Sequence, residues 1–490
     1  MRAIALAGTP PARLPDGLVL ALLVLPWVHP WAPGPQSNTV PLLIGWGVLA
    51  LLLALRHWPA PQVLAQSWAC AALLSSAMGL LQYFGEAGHL GGWVHVPTWL
   101  GDAVGNLRQR NQLATLTSIG AVAVLWLQVQ GLPSRQALWM LALLAAGNAA
   151  TGSRTGLLQW LLLPMLAGLW QANAPSRRSV WSWPLLLWGL AVYLLASLAL
   201  PHLLAAWAGT EVSSAMARMG EVSGCGSRSV LWANVLHLIG QQPWTGWGWG
   251  ELKYAHYMAD YPGPRFCDIL GNAHNLPLQL AFAFGLPAAM VLLGGLLVLA
   301  LRARPWRLAH GSSGLGWGVL AMVGLHSLLE YPLWYSPFQL ATLFALLLLW
   351  PQGRLWLARH AGPVALAGLV VLCLLALIGG DYLRMRQIYL PAAQRSALWR
   401  DDPWGHARQT LFFGDAVAFA QLTSTPVTAA RAPATLAQAQ RMLHYSPEPR
   451  VIERLIESAH LAGREDLADL HRRQLVRVYG QGNGSKPGGD

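Results

Sequence analysis

His274 stands between Asn272 and Asn275 in the stretch NAHNLPLQ (272–279), directly ahead of a long apolar run. An imidazole, with an ordinary pKa of about 6.5, accepts a hydroxyl proton near neutral pH, so this placement offers a general base at the edge of an apolar phase. Asn272 and Asn275 are placed to fix its tautomer. Two other short motifs carry an arginine: Arg154 in TGSRTG (151–156) and Arg228 in GSRSVLW (226–232). The planar guanidinium fork matches pairs of phosphate oxygens and suits a diphosphate leaving group, whose developing charge must be neutralised. Arg108, Arg110 and Asn111 in GNLRQRNQLAT (105–115), and Arg265, are accessory candidates; the arginines equally well tie loops together through acids such as Asp102 or Asp268. His326 and Glu330 in HSLLEYPLW (326–334) are four residues apart, so one helix turn would bring both to one face. They would then orient the acceptor or His274, or form a buried polar pair. The bland readings are interfacial: a lone histidine at a span end is commonly idle, and a lone arginine there snorkels.

The elements that must position these groups are apolar helices. Of 490 residues, 54% are hydrophobic and 11% charged, against about 25% charged in soluble domains. Apolar stretches near 17–30, 40–58, 62–84, 111–130, 134–150, 155–172, 180–207, 275–302, 314–330, 336–351 and 362–380 give about 11 (10–12) candidate membrane spans by length. The fold class is therefore all-α polytopic membrane protein, and the 26 Trp suit the two bilayer interfaces. The N-terminus lacks a continuous apolar core ending in a cleavage site, so the first span reads as a signal-anchor.

Charge distribution sets the expected topology. With the N-terminus in the cytoplasm, the inside segments hold Arg2, Arg13, Arg56, Arg135, Arg177, Arg178, Arg302, Arg304, Arg307, Arg354 and Arg359, with Asp16 as the acid among them. The net charge of +12 thus has a topological origin and does not call for nucleic acid. The polar motifs all fall outside, where Arg108, Arg110, Arg154, Arg218, Arg228, Lys253 and Arg265 also lie. Residues 1–380 form the transmembrane part, with 209–273 as a large periplasmic loop. Residues 381–480 read as a periplasmic α-helical region of TPR-like hairpins, with Val451, Leu455 and Ile456 at helical spacing, and 481–490 as a disordered tail. Cys70 and Cys373 fall within spans and read as small core residues.

The ordered set NLRQRNQLAT, GSRTG, SRSVLW, HNLPLQ…GLP and HSLLEYPLWY resembles the O-antigen ligase and polymerase superfamily, within it the bacterial protein O-oligosaccharyltransferases of the PglL kind. The resemblance runs from about residue 100 to 350, and the helical tail also resembles that subgroup. Arg110 departs from the proline or neutral residue expected in many relatives. The resemblance implies a glycan donor linked to undecaprenyl diphosphate and a hydroxyl acceptor on a periplasmic protein such as pilin, with no cofactor.

The residues support that chemistry independently: His274 as base, Arg154 and Arg228 on the diphosphate. No Asp-x-Asp pair, Walker loop or Gly-x-Ser-x-Gly elbow occurs, which makes metal-free inverting transfer the simpler expectation. The nearest alternative is the same chemistry on another hydroxyl, as in an O-antigen ligase using lipid A core or a polymerase. An alternative of another class is a transporter or flippase of lipid-linked glycan, which should carry charges through the bilayer depth; here the polar motifs cluster on one face. Finally, Cys225 and Cys267 share the outside loop in an oxidising compartment. They are expected to form a disulfide, closing a loop worth roughly 4 kcal/mol in the chain-entropy view.

Overall fold

The computed structural model describes residues 14–173, 181–209, 224–308 and 311–480. The expectations for Arg2, Arg13, Arg177, Arg178, Arg218 and the 481–490 tail lie outside the described residues, as does part of the 209–273 loop. No strand occurs among the described residues. The helices, in chain order, are α1 (Asp16–Val28), α2 (Thr39–Ala54), α3 (Pro61–Tyr83), α4 (Arg110–Val129), α5 (Ser134–Thr151), α6 (Arg154–Asn173), α7 (Trp183–Ala208), α8 (Arg228–Gln241), α9 (Leu252–Met258), α10 (Leu276–Ala303), α11 (Ser313–Ser327), α12 (Ser336–Leu349), α13 (Pro351–Arg359), α14 (Ala361–Met385), α15 (Pro403–Arg408), α16 (Gly414–Ser424), α17 (Ala432–Tyr445), α18 (Pro449–Leu461) and α19 (Glu465–Tyr479).

Each apolar stretch expected to span is helical, with ends near those read from the sequence. Among the described residues, five helices (α3, α4, α7, α10 and α14) are long and apolar enough to cross a membrane. A sixth span results if α12 and α13, bent by 99° at their junction, count as one. The chain is accordingly a multi-pass membrane protein, while α1 and α2 are shorter apolar helices.

The chain divides into two compact units. The first comprises 1–221, 304–326 and 332–377, and the second 222–303, 327–331 and 378–490. In the first unit α3, α4, α5 and α7 form the densest packing. Small residues on α3, among them Ala72 and Ser76, are fully buried and let neighbouring helices approach closely. Two buried amides bridge helices in this interior: the Asn148 amide donates to Ala114 O (2.8 Å) and Thr117 Oγ1 (2.7 Å), and the Gln159 amide to Thr115 Oγ1 and Met322 O (2.9 Å each).

The second unit has two apolar cores. In one, α8 packs against α10, with Leu231, Val235, Leu238 and Phe282 buried. Helix α10 is broken at Gly285, whose φ of 80° falls in the left-handed region where a side chain is strained. A Cβ there would also strike the Trp244 backbone. Pro287 has no N–H to give Ala283 O. That carbonyl instead accepts from Gly248 N (3.1 Å), while Phe282 O accepts from Trp247 N (2.8 Å) and Leu286 N donates to Pro243 O (2.7 Å). Backbone groups freed by the break thus find partners in the 243–248 segment, as an apolar surrounding requires. The other core joins α16 to α19 with Tyr257 of α9.

One expectation about cysteines is corrected. Cys373 is exposed on α14, not part of a core, and Cys70 is half-buried. Much of α14 is exposed: Leu366, Leu369, Val370, Leu374 and Leu377 all face outward, so a lipid-facing surface, not a packed interior, receives the thiol.

Candidate functional site

The first residues of the second unit's site are set by backbone restraints. Helix α10 begins after Asn275, whose side-chain oxygen accepts from Leu278 N (3.0 Å), an N-cap bond that satisfies an amide of the first turn. The same side chain donates to Leu328 O (2.9 Å). Asn272 Oδ1 accepts from His274 N (2.9 Å), and Gln279 Oε1 accepts from Ala273 N (2.8 Å). Trp232 of α8 donates its indole N–H to Ala273 O (3.1 Å). These bonds hold His274 at a φ of 49°, a left-handed conformation that costs energy for any residue with a Cβ. The two asparagines therefore fix the backbone on either side of His274 instead of meeting its ring.

The ring is met by Glu330. Its Oε2 lies 2.6 Å from His274 Nδ1, and its other oxygen pairs with Arg228. Glu330 is buried, whereas His274 and Arg228 each keep about a quarter to a third of their side chains accessible. Burial pushes the Glu330 carboxyl up. The hydrogen bond and charge of His274, with the charge and hydrogen bond of Arg228, outweigh it and hold the carboxyl below its usual range. Tyr331 completes the surround, its ring edge-on to the imidazole at 4.9 Å and 90°. Arg228 is the first residue of α8, where Ser227 Oγ caps Val230 N (3.4 Å). A helix N-terminus favours anions, so guanidinium and helix end reinforce each other.

The arrangement fixes the proton chemistry. A carboxylate can only accept, so this contact favours the tautomer with its hydrogen on Nδ1, which leaves the lone pair on Nε2. Arg228 uses one edge on Glu330 and retains further N–H groups for an anion.

The Cys225–Cys267 disulfide is present, with Cα atoms 5.2 Å apart. It joins the segment leading into Arg228 to the one leading into His274. Arg265 serves that second segment: it donates to His256 O (2.7 and 2.6 Å), Tyr257 O (3.2 Å) and Ala259 O (3.3 Å) at the end of α9. Its ring neighbour is Tyr261, 5.1 Å away. His256 is buried there: Phe266 O, an acceptor only, takes its Nε2–H (3.1 Å), and Tyr261 hydroxyl faces Nδ1 (2.8 Å). Burial, with the Arg265 charge adding to it, lowers its pKa to about 3.

The remaining candidates belong to the first unit. Arg154 is the first residue of α6 and exposed. The TGSRTG turn is built for it: Gly152 ends α5 in the left-handed region, and Ser153 Oγ caps Gly156 N (3.1 Å). Gly156 leaves room for the Asn148 side chain, which a Cβ would strike. Asn111 Oδ1 accepts from Ser153 Oγ (2.6 Å), which ties the 105–115 motif to the same turn. Arg110 pairs with Asp102. Arg108, itself left-handed at φ 61°, donates to Pro30 O (2.8 Å) and Ala32 O (3.3 Å). His326 is fully buried, its Nδ1 2.9 Å from Thr115 Oγ1. His326 and Glu330 do not share one helix as expected, because α11 stops at Ser327 and Glu330 lies in the turn before Pro332. The His274 ring and the Arg228 guanidinium meet the carboxylate.

Sequence reading did not single out Tyr331 or Gln279. Tyr331 directly follows Glu330, and Gln279 closes the same NAHNLPLQ stretch, so proximity to candidates was the available signal.

Three parts of the sequence are similar to known families. Residues 139–293 match the family described as O-Antigen ligase, residues 103–127 that described as Protein glycosylation ligase, and residues 315–485 that described as Virulence factor membrane-bound polymerase, C-terminal. In these parts the chain resembles O-antigen ligases and the protein O-oligosaccharyltransferases of the PglL kind, as its motifs suggested. Among curated proteins, a general O-oligosaccharyltransferase of Acinetobacter baylyi is 25% identical over 327 residues, covering 64% of this chain and 55% of that relative.

Proposed function

We propose that this chain is a glycosyltransferase of the bacterial inner membrane. In this reading it transfers a preassembled oligosaccharide from undecaprenyl diphosphate to Ser or Thr hydroxyls of a periplasmic protein such as a pilin. The observation that carries the reading is the buried Glu330 carboxylate joining the His274 imidazole to the Arg228 guanidinium. His274 Nε2 takes the acceptor's hydroxyl proton as its oxygen attacks the anomeric carbon. The bond from that carbon to the diphosphate oxygen breaks, and the diphosphate leaves with the electron pair. Arg228 neutralises the leaving charge, with Arg154 assigned to the same anion. Glu330 holds the tautomer and stabilises the imidazolium that forms, the role a carboxylate plays behind a catalytic histidine. A single displacement inverts the anomeric centre.

About eleven spans, an N-terminus in the cytoplasm and a periplasmic site and tail accompany this reading. It is supported by the glycosylation-ligase match and by the relative's name. The match to O-Antigen ligase favours a second reading, the same step with lipid A core as acceptor. Purified protein incubated with lipid-linked oligosaccharide and either pilin or lipid A core tests both. Sugar on pilin alone supports the proposal, and sugar on lipid A core alone replaces it with the second reading.

A further inference from the structure

Helix α14 carries no charged residue from Ala361 to Gly380, a run of about 20 residues, enough for a hydrocarbon core of ~30 Å. Asp381 is the first charge after that run, and it is only 6% exposed. Its Oδ2 accepts from Thr410 Oγ1 (2.7 Å), Leu411 N (2.9 Å) and Phe412 N (2.9 Å), while Oδ1 accepts from Arg384 (2.5 Å). Arg384 also donates to Gln409 O (2.5 Å). The 409–412 turn is thus pinned to the residue at which α14 leaves its apolar run.

That turn sends its side chains in opposite directions. Phe413 turns inward, its ring 5.3 Å from that of fully buried Tyr382. Leu411 and Phe412 point out, 79% and 52% exposed, and Leu398 is 72% exposed. Because Asp381 satisfies the amides of Leu411 and Phe412, the tip of the turn presents their apolar side chains outward, beside exposed Gln409. Exposed Arg400 and Arg408 lie in the same collar, with Arg386 and Arg395, against Asp401 and Asp402. Asp402 is engaged as the cap of α15, accepting from Gly405 N (2.8 Å).

We infer that the collar formed by 381–413 is an interfacial anchor, in which Leu411 and Phe412 enter the outer edge of the bilayer where α14 emerges and the arginines meet anionic lipid headgroups. The depth argument selects lipid as the occupant: a residue hydrogen-bonded through its backbone to the end of a span lies at the interface, where apolar side chains insert and basic ones face phosphates. The inference concerns the helical tail and does not depend on the reaction assigned above.

The test uses full-length protein with Cys70→Ala and Cys373→Ala, the native disulfide kept, and one added cysteine, Leu411→Cys or Arg473→Cys. Arg473 is exposed on α19. Each is labelled with an environment-sensitive nitrobenzoxadiazole and reconstituted in phosphatidylethanolamine–phosphatidylglycerol vesicles. The Leu411 label is expected to emit at shorter wavelength and to be quenched by shallow spin-labelled lipid several-fold more than the Arg473 label. Melting in detergent checks the fold, and Phe412→Cys replaces any variant that melts early. Equal lipid quenching at both sites, with full access to aqueous iodide, overturns the anchor. So does a Leu411 label that becomes shielded only when acceptor protein is added, because a protein-docking surface then explains the exposure.

Discussion

His274 Nδ1 lies 2.6 Å from Glu330 Oε2, so a buried carboxylate sets which imidazole nitrogen is free to take a proton. The same carboxylate holds Arg228 through its other oxygen. One acid therefore spaces the proposed base and the proposed diphosphate ligand. Glu330→Gln keeps the shape but offers an amide N–H or a neutral oxygen. Loss of a carboxylate behind a catalytic histidine costs about 10⁴-fold in rate in the serine-protease case, and a fall of at least about 10²-fold is expected here. Initial rates of sugar transfer to pilin, with melting temperature as a control, check it; a variant within a few-fold of the parent would remove Glu330 from the mechanism.

The arginines are expected to respond differently from Glu330. Arg228→Lys replaces a fork that reaches Glu330 and still has N–H groups to spare with a point charge. It should weaken donor use and slow transfer together. Arg154→Lys, at an exposed helix start, should raise the donor KM with a smaller effect on the step after binding. Titration with lipid-linked oligosaccharide separates the two, and full activity in both lysine variants would point to generic interfacial charge.

The helices were legible in the sequence because apolar runs and their breaks are local signals. Even the interruption of α10 is written as Gly285 and Pro287. The candidate site was legible only in part. His274, Arg228 and Glu330 could each be picked out by residue type, but their pairing depends on how residues 228, 274 and 330 meet across the fold. A helix turn linking His326 to Glu330 was a reasonable local expectation, and it fails because α11 ends at Ser327. The asparagines flanking His274 were misread for a related reason: side chains beside a strained residue are more useful to its backbone than to its ring. Arg265 shows the same limit, since four carbonyl contacts at the end of α9 leave no trace in spacing.

The disulfide gives a stability prediction. Cys225→Ser with Cys267→Ser should lower the stability of the second unit by about 2–5 kcal/mol and loosen the spacing of Arg228 and His274. Activity should fall more steeply with temperature than in the parent. Alkylation of the denatured protein, with and without prior reduction, reads the bridge directly. Both thiols should label only after reduction.

His256 supplies the pH prediction. Its folded pKa, about 3, lies below the model-compound value of 6.5, because burial, then the charge of Arg265, disfavours the imidazolium. A depressed histidine binds its proton more readily in the unfolded chain. Its contribution to stability is therefore fully present above about pH 6.5, falls as the pH drops below that value, and is exhausted near pH 3. The elements that suffer are those His256 joins: Tyr261, Phe266 O and the Arg265 cap on α9. Glu330 acts lower on the scale. Its carboxyl is held below the ordinary 4.5, so its pairing with His274 and Arg228 is fully present above that value and is lost only as the pH falls through the lower folded one. Protection of residues 252–266 against hydrogen exchange, taken relative to the intrinsic rate at each pH, should accordingly fall between pH 6.5 and 5, while that of 328–331 stays unchanged over that range. His256→Gln, which cannot take up the proton, should flatten the first response and leave the second alone. An unchanged acid response of 252–266 in that variant would shift the sensitivity to another group.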